Sequence, residues 1–116
     1  RETCITSSEG KLERDTWEKR FSWCDLSGKF GKGDNFSGIA IFDHPSNLNH
    51  PTTWANYYFR NRGFLNPTFP GARKYTIEPH KPLRLRYRLW IHRGDAKGGH
   101  VTDAYDAFIK PPSVKM

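Results

Sequence analysis

Residues 83–92 constrain the fold of this chain more than any other stretch. Leu83, Leu85, Tyr87, Leu89 and Ile91 alternate strictly with Arg84, Arg86, Arg88, Trp90 and His92. Period-two alternation of this length belongs to a half-buried antiparallel strand, because successive side chains point to opposite faces of a sheet. A helix would scatter the arginines around its circumference. The pattern therefore predicts a strand over 83–92 with the leucine row inward and the arginine row outward. Two readings of the arginine row stay open: a solvated outer face, or a cationic stripe for an acidic glycan or nucleic acid.

Other segments point to the same class. Residues 16–24 alternate, with Trp17, Lys19, Phe21 and Trp23 on one face, and read as a strand. The stretch 25–35 reads as a loop from its Gly, Asp and Asn content. Ser37–Asp43 is a short apolar run that reads as a buried strand. Further strands are expected around 54–60 and 73–78, separated by a long irregular loop at 61–71. Ser7, Ser8, Glu9 and Gly10 form a turn signal within a polar opening segment. Thr102–Ile109 reads as one short C-terminal helix, with Thr102 as N-cap and Tyr105, Phe108 and Ile109 inward. The fold class is thus all-β: a single antiparallel β-sandwich of jelly-roll type over 1–116. About five strands are too few to close a sandwich. A partial sandwich, completed by another copy or by missing N-terminal strands, follows as an expectation.

Composition narrows the partners. The chain has 116 residues and a formal net charge of +7, with aromatics at 15%. Aromatic richness argues for a packed domain rather than disorder. The charge permits a polyanion partner, but nucleic acid ranks below a carbohydrate or another small molecule. No apolar run approaches the roughly 18 residues needed to span a membrane. Cys4 and Cys24 either pair in one bridge or stay free and partly buried. Neither a metal nor another cofactor is expected, because no ligand set of diagnostic spacing is present.

The chemistry concentrates in Asp43-His44-Pro45-Ser46-Asn47-Leu48-Asn49-His50-Pro51. An acid and two imidazoles follow a buried strand, and each histidine precedes a proline that restricts its backbone. Such a loop can hold His44 and His50 in place for acid–base work, with Asp43 orienting an imidazole. The bland alternative is that Asp43, Ser46 and Asn47 only cap turns. Trp54, Tyr57, Tyr58 and Phe59 follow, and aromatic faces stack on sugars, although such clusters are more often core. Arg60 and Arg62 add guanidinium groups for an anionic ligand.

Trp23-Cys24-Asp25-Leu26-Ser27-Gly28, the run from Gly38 to Asn47, His50-Pro51 and Trp54 resemble the bacterial proteins labelled methane oxygenase PmoA. The similarity continues through Gly63–Pro67, Leu83–Arg88 and His92–Asp95. The resemblance implies an exported β-sandwich protein, encoded near enzymes that oxidise sugars or degrade polysaccharides, of which this chain is the C-terminal part. It adds Asp25 to Asp43, His44, His50 and Trp54 as pocket positions. Residues and resemblance together lead to an expected carbohydrate-related protein. His44 or His50 would be acid or base, Asp43 or Asp25 the orienting carboxylate, and Trp54, Tyr58, Arg60 and Asn47 the ligand-binding set. A non-catalytic glycan- or polyanion-binding module is the alternative.

Overall fold

A computed structural model describes residues 3–31, 33–59 and 62–110. It is an antiparallel, sandwich-like all-β fold with one short C-terminal helix. Among the described residues eight strands run β1 (Thr3–Ser7), β2 (Gly10–Leu12), β3 (Thr16–Arg20), β4 (Trp23–Gly28), β5 (Ser37–Asp43), β6 (Thr53–Phe59), β7 (Arg62–Phe64) and β8 (Tyr87–Arg93), followed by α1 (Val101–Ile109). They form a five-stranded sheet in the order β2-β1-β4-β5-β8 and a three-stranded sheet in the order β3-β6-β7. The sheets do not close into a barrel.

The turn at Ser7–Gly10 joins β1 to β2, with the Ser7 hydroxyl donating to the Gly10 carbonyl at 2.9 Å. The expected strand at 16–24 is two strands in different sheets. Glu18 has a positive φ of 59° at an irregularity in the β3–β6 ladder, and Phe21–Ser22 carry the chain across to β4. The expected loop at 25–35 starts too early, because Asp25–Gly28 lie inside the buried central strand β4. Asp, Ser and Gly are poor strand formers by themselves, and only the two flanking ladders make this segment a strand. The expected loop at 61–71 contains β7, paired with β6. No strand forms at 73–78, which stays exposed and outside both sheets.

Register sorts the sheet's side chains, since residues directly opposite one another share a face. Ile5, Leu26, Ile39 and Ile91 lie in one row, and Ser7, Cys24, Ile41 and Leu89 in the next. This face meets the smaller sheet, where Trp54 packs with Phe21, Cys24, Ile41 and Leu65. The other face carries Trp23, Ala40 and Phe42, which pack with Ala96, Val101, Tyr105 and Phe108 from α1 and the segment before it. Phe42 and Tyr105 meet edge to face at 5.4 Å between ring centroids. Helix α1 begins at Val101, and its N-cap is His100 in a left-handed conformation, without a side-chain cap bond. The expected Thr102 cap therefore lies one step inside the helix.

The strand at 83–92 begins later, at Tyr87, and its faces are the reverse of the expected ones. Leu89 and Ile91 are 59% and 78% exposed, whereas His92 is buried. Trp90 donates its indole N–H to the Gly99 carbonyl at 2.9 Å, and the Arg88 guanidinium stacks on Phe108 at 4.7 Å. Alternation identifies two faces but not which one is covered. Here β8 is an edge strand whose Trp/His side lies under the α1 layer, and the smaller sheet leaves the Leu/Ile row open. The cysteines are free and lie on opposite faces, with Cys4 opposite Ser27 and Cys24 opposite Ser7.

The inversion has a direct thermodynamic signature. Ile91→Lys is expected to change stability by less than about 0.5 kcal/mol, as exposed substitutions do. Phe42→Ala is expected to cost about 3–5 kcal/mol. Urea unfolding of both variants checks this; comparable losses would return the leucine row to the core.

Candidate functional site

Asp43 ends β5 on the face toward the smaller sheet and is 1% exposed. Its carboxylate gathers the loop around itself. Oδ1 accepts from Asn47 Nδ2 at 2.8 Å. Oδ2 accepts from the Thr52 backbone N–H at 2.9 Å and bonds His50 Nδ1 at 2.6 Å. Backbone bonds from Asn47 N to the His44 carbonyl and from His50 N to the Asn47 carbonyl tighten the turn. From behind, the Tyr105 hydroxyl donates to the Asp43 carbonyl at 2.9 Å. From the side, Arg20 Nη1 donates to the carbonyls of Asn49 and Pro51, each at 3.0 Å. Arg20 and Thr52 escaped the sequence reading, and the exposed polar side of the 16–24 alternation was the only signal for Arg20.

These bonds set the protonation pattern of both imidazoles. A carboxylate accepts only, so His50 carries its proton on Nδ1 and in the neutral ring leaves Nε2 as the acceptor. His50 Nε2 has no hydrogen-bond partner among the described residues, and the side chain is 19% exposed. His44 is set the other way. Its Nδ1 accepts from the Ser46 backbone N–H at 3.0 Å, with the Ser46 hydroxyl at 2.7 Å, which places the proton of the neutral ring on Nε2. The His44 ring packs edge-on against Phe108 at 4.9 Å. Desolvation there, then the charges of Arg86 and His50, hold His44 below the ordinary imidazole range, opposed by Asp43. One loop thus presents an acceptor nitrogen and a donor nitrogen. Beside it lies a shallow cleft of about 190 Å³ lined by Leu48, Asn49, Phe69, Arg73, Lys74 and Tyr75.

The remaining expected site residues disperse. Asn47 is structural: besides holding Asp43 it donates to the Arg86 carbonyl at 2.7 Å and accepts from the Arg86 N–H at 2.6 Å. Trp54 is fully buried and its indole donates to the Phe21 carbonyl at 2.7 Å, so it offers no face to a ligand. The Tyr58 hydroxyl bridges strands, accepting from the Ile5 N–H at 2.6 Å and donating to the Leu12 carbonyl at 2.7 Å. Arg60 lies outside the described residues.

Asp25 does not join Asp43. It sits on the opposite face of the sheet and bonds His92 Nε2 through Oδ1. Asp25 is on β4 and His92 on β8, with β5 between them. Strands two places apart lie about 9.5 Å apart, so the imidazole has to lie across β5. It does so at Gly38, directly opposite His92, where a Cβ would come within 2.8 Å of the ring. Gly99 covers the ring from the other side, and a Cβ there would fall 2.2 Å from Nδ1. Burial raises the Asp25 carboxyl above the ordinary range, opposed by the His92 bond. Burial also pushes the Cys24 thiol up to about 12, so it stays protonated at neutral pH. No group of three or more His, Cys, Asp or Glu side chains is placed to hold a metal ion among the described residues, and no described helix is long and apolar enough to cross a membrane.

Fold and site together define an antiparallel sandwich domain with a carboxylate-held histidine on each face of its main sheet. The family model described as Family of unknown function (DUF6807) matches residues 1–106, and the chain belongs to that family. This corrects the resemblance to the methane oxygenase PmoA label, which the matching family does not carry. No curated protein and no solved structure matches the chain.

Two measurements test this geometry. His44 is expected to titrate below about 6.5, the usual midpoint, and Arg86→Gln to move it upward; histidine proton NMR reads both. Because the neutral form is favoured in the folded chain, its contribution is complete above the ordinary imidazole pKa and is lost as pH falls through the depressed one. Gly99→Ala is expected to destabilise by about 2 kcal/mol or more through overpacking against His92. Gly98→Ala, where a Cβ meets nothing closer than 3.4 Å, serves as the control in urea unfolding.

Proposed function

We propose that the domain acts on a hydroxyl-bearing small molecule of the carbohydrate class at loop 43–52. His50 is the proton acceptor, held by Asp43, and the His44 Nε2–H is a hydrogen-bond donor to the substrate oxygen on which charge develops. The observation that carries this reading is the opposite assignment of the two imidazoles on one loop, each enforced by a short bond at Nδ1. General-base chemistry on a sugar hydroxyl uses a nitrogen free to accept the proton, and a neighbouring N–H steadies the oxygen that gains charge. The neighbouring cleft supports the substrate class. Tyr75 offers an aromatic ring braced edge-on by Phe69 at 5.5 Å, and Arg73 and Lys74 offer donors for hydroxyl or carboxylate groups. Tyr75 takes the stacking role that the sequence assigned to Trp54.

A second reading is a non-catalytic glycan-binding site. It is favoured by the extent to which Asp43 is committed to holding the loop, since both of its oxygens bond groups of residues 47–52.

Incubation with a panel of neutral and acidic glycosides, read by mass spectrometry, separates the two. On the catalytic reading His50→Gln lowers turnover about 10²–10⁴-fold, the usual worth of a general acid or base, while Tyr75→Ala weakens substrate binding. Saturable glycan binding without product would establish the binding module. Turnover unchanged in both His44→Gln and His50→Gln would refute the acid–base assignment.

A further inference from the structure

Among the described residues four strand edges border the two sheets, and three of them are blunted in ways that discourage further pairing. Strands β2 and β7 are three residues long, and β3 is irregular around Glu18. The fourth edge, β8, has none of these features. Its seven residues run beside β5 from Arg93 opposite Ser37 to Tyr87 opposite Asp43, with no shift of register and no proline. No described strand lies on its outer side.

The β5–β8 ladder decides which backbone groups of β8 face outward. Just past its two ends the Gly94 N–H donates to the Phe36 carbonyl at 2.8 Å and the His44 N–H to the Arg86 carbonyl at 3.2 Å. In an antiparallel pair such bonds fall on every second residue, so Arg88, Trp90 and His92 turn their backbone groups to β5. Tyr87, Leu89, Ile91 and Arg93 turn theirs away from the sheet. The same four residues carry their side chains on the face that the smaller sheet leaves open, where Leu89 and Ile91 are exposed. Unmet N–H and C=O groups and an uncovered apolar row thus share one straight edge.

We propose that β8 pairs antiparallel with β8 of a second copy about a two-fold axis at Trp90, joining the two main sheets into one. This register sets Leu89 opposite the partner's Ile91 and Tyr87 opposite the partner's Arg93, so all four outward-facing residues exchange backbone bonds within β8. Ile39 and Ile41 of β5 lie opposite Ile91 and Leu89. An apolar row therefore runs unbroken from Ile39 through Ile91 to the partner's Leu89 and the partner's Ile41, and symmetry repeats it. Charge selects the same register. Strand β8 is basic, and two copies repel wherever arginine directly faces arginine. About Trp90, Arg93 meets the ring of the partner's Tyr87, a favourable cation–π pair. Arg88, turned onto Phe108 in its own chain, meets the partner's His92 and no arginine. An axis at Arg88 would set two arginines face to face, and one at Leu89 or Ile91 would leave an end of β8 overhanging. The pairing does not rest on the function proposed for loop 43–52.

Sedimentation equilibrium from about 1 μM to about 1 mM, the span over which weak and moderate complexes dissociate, is expected to show monomer and dimer in exchange. Ile91→Lys and Leu89→Lys should each raise the dissociation constant about 10-fold or more, as loss of a central apolar contact does. Both should keep the urea midpoint of the dilute monomer, since neither side chain is covered in the single chain. Phe64→Lys alters a similarly exposed side chain on β7, over the β1 side of the sheet, and should leave the constant unchanged. Amide hydrogen exchange separates edge pairing from contact through the faces. The Leu89 and Ile91 amides should exchange freely in the dilute chain and become protected on association, while those of Arg88 and Trp90 are protected throughout. The proposal is overturned if the chain sediments as a monomer at every concentration, which would leave the edge to a strand of different chemistry. It is equally overturned if both lysine variants still dimerise like the unmodified chain, or if association leaves the Leu89 and Ile91 amides unprotected.

Discussion

The bond between Asp25 and His92 is the fastening on which the main sheet depends. It joins β4 to β8 over the top of β5, a reach that ordinary neighbouring side chains do not make. Gly38 leaves the gap and Gly99 closes the lid. Placing His92 there buries the Trp90 side of β8, brings Gly99 against the Trp90 indole, and so seats the segment that leads into α1. A buried ionisable pair is a poor source of net stability, since desolvation offsets much of the attraction. Its value here is positional. A register slip of one residue would send His92 to the other face, and a slip of two would set Ala40 rather than Gly38 beneath the ring.

The sheet therefore works as a partition with an Asp–His pair on each side. The two pairs differ in what their surroundings allow. Around Asp43, both carboxylate oxygens are engaged and the histidine is the part left partly exposed. Around Asp25, the histidine is enclosed and the carboxylate oxygen Oδ2 is left over. The first arrangement leaves its imidazole partly open to solvent, and the second encloses both partners.

What could be read in advance follows from how local each signal is. The strand Ser37–Asp43 and the loop after it were legible because an apolar run, two His-Pro steps and an acid lie within fifteen residues. Pairing of Asp43 with His50 needed only that loop. Asp25 and His92 are 67 positions apart, and nothing local distinguishes a histidine that reaches over a strand from one that faces water. Polar β4 was hidden for a related reason: its strand character comes from the ladders on both sides. The alternation in β8 was real, yet its polarity depended on where the smaller sheet stops. Trp54 shows the same limit, since an aromatic beside a reactive loop reads alike whether it stacks on a ligand or fills the core.

Asn47 joins these levels in a single side chain. Its amide bonds both the N–H and the carbonyl of Arg86, as a residue of an adjacent strand would, and with the His44 N–H, which reaches the same carbonyl at 3.2 Å, extends the β5–β8 ladder by one rung. The same Nδ2 also holds Asp43. The basic stretch entering β8 and the carboxylate that aims His50 thus share one amide, like two levers on a common pin. A partner that pulled Arg86 out of line would tilt that pin, and the aim of the imidazole with it.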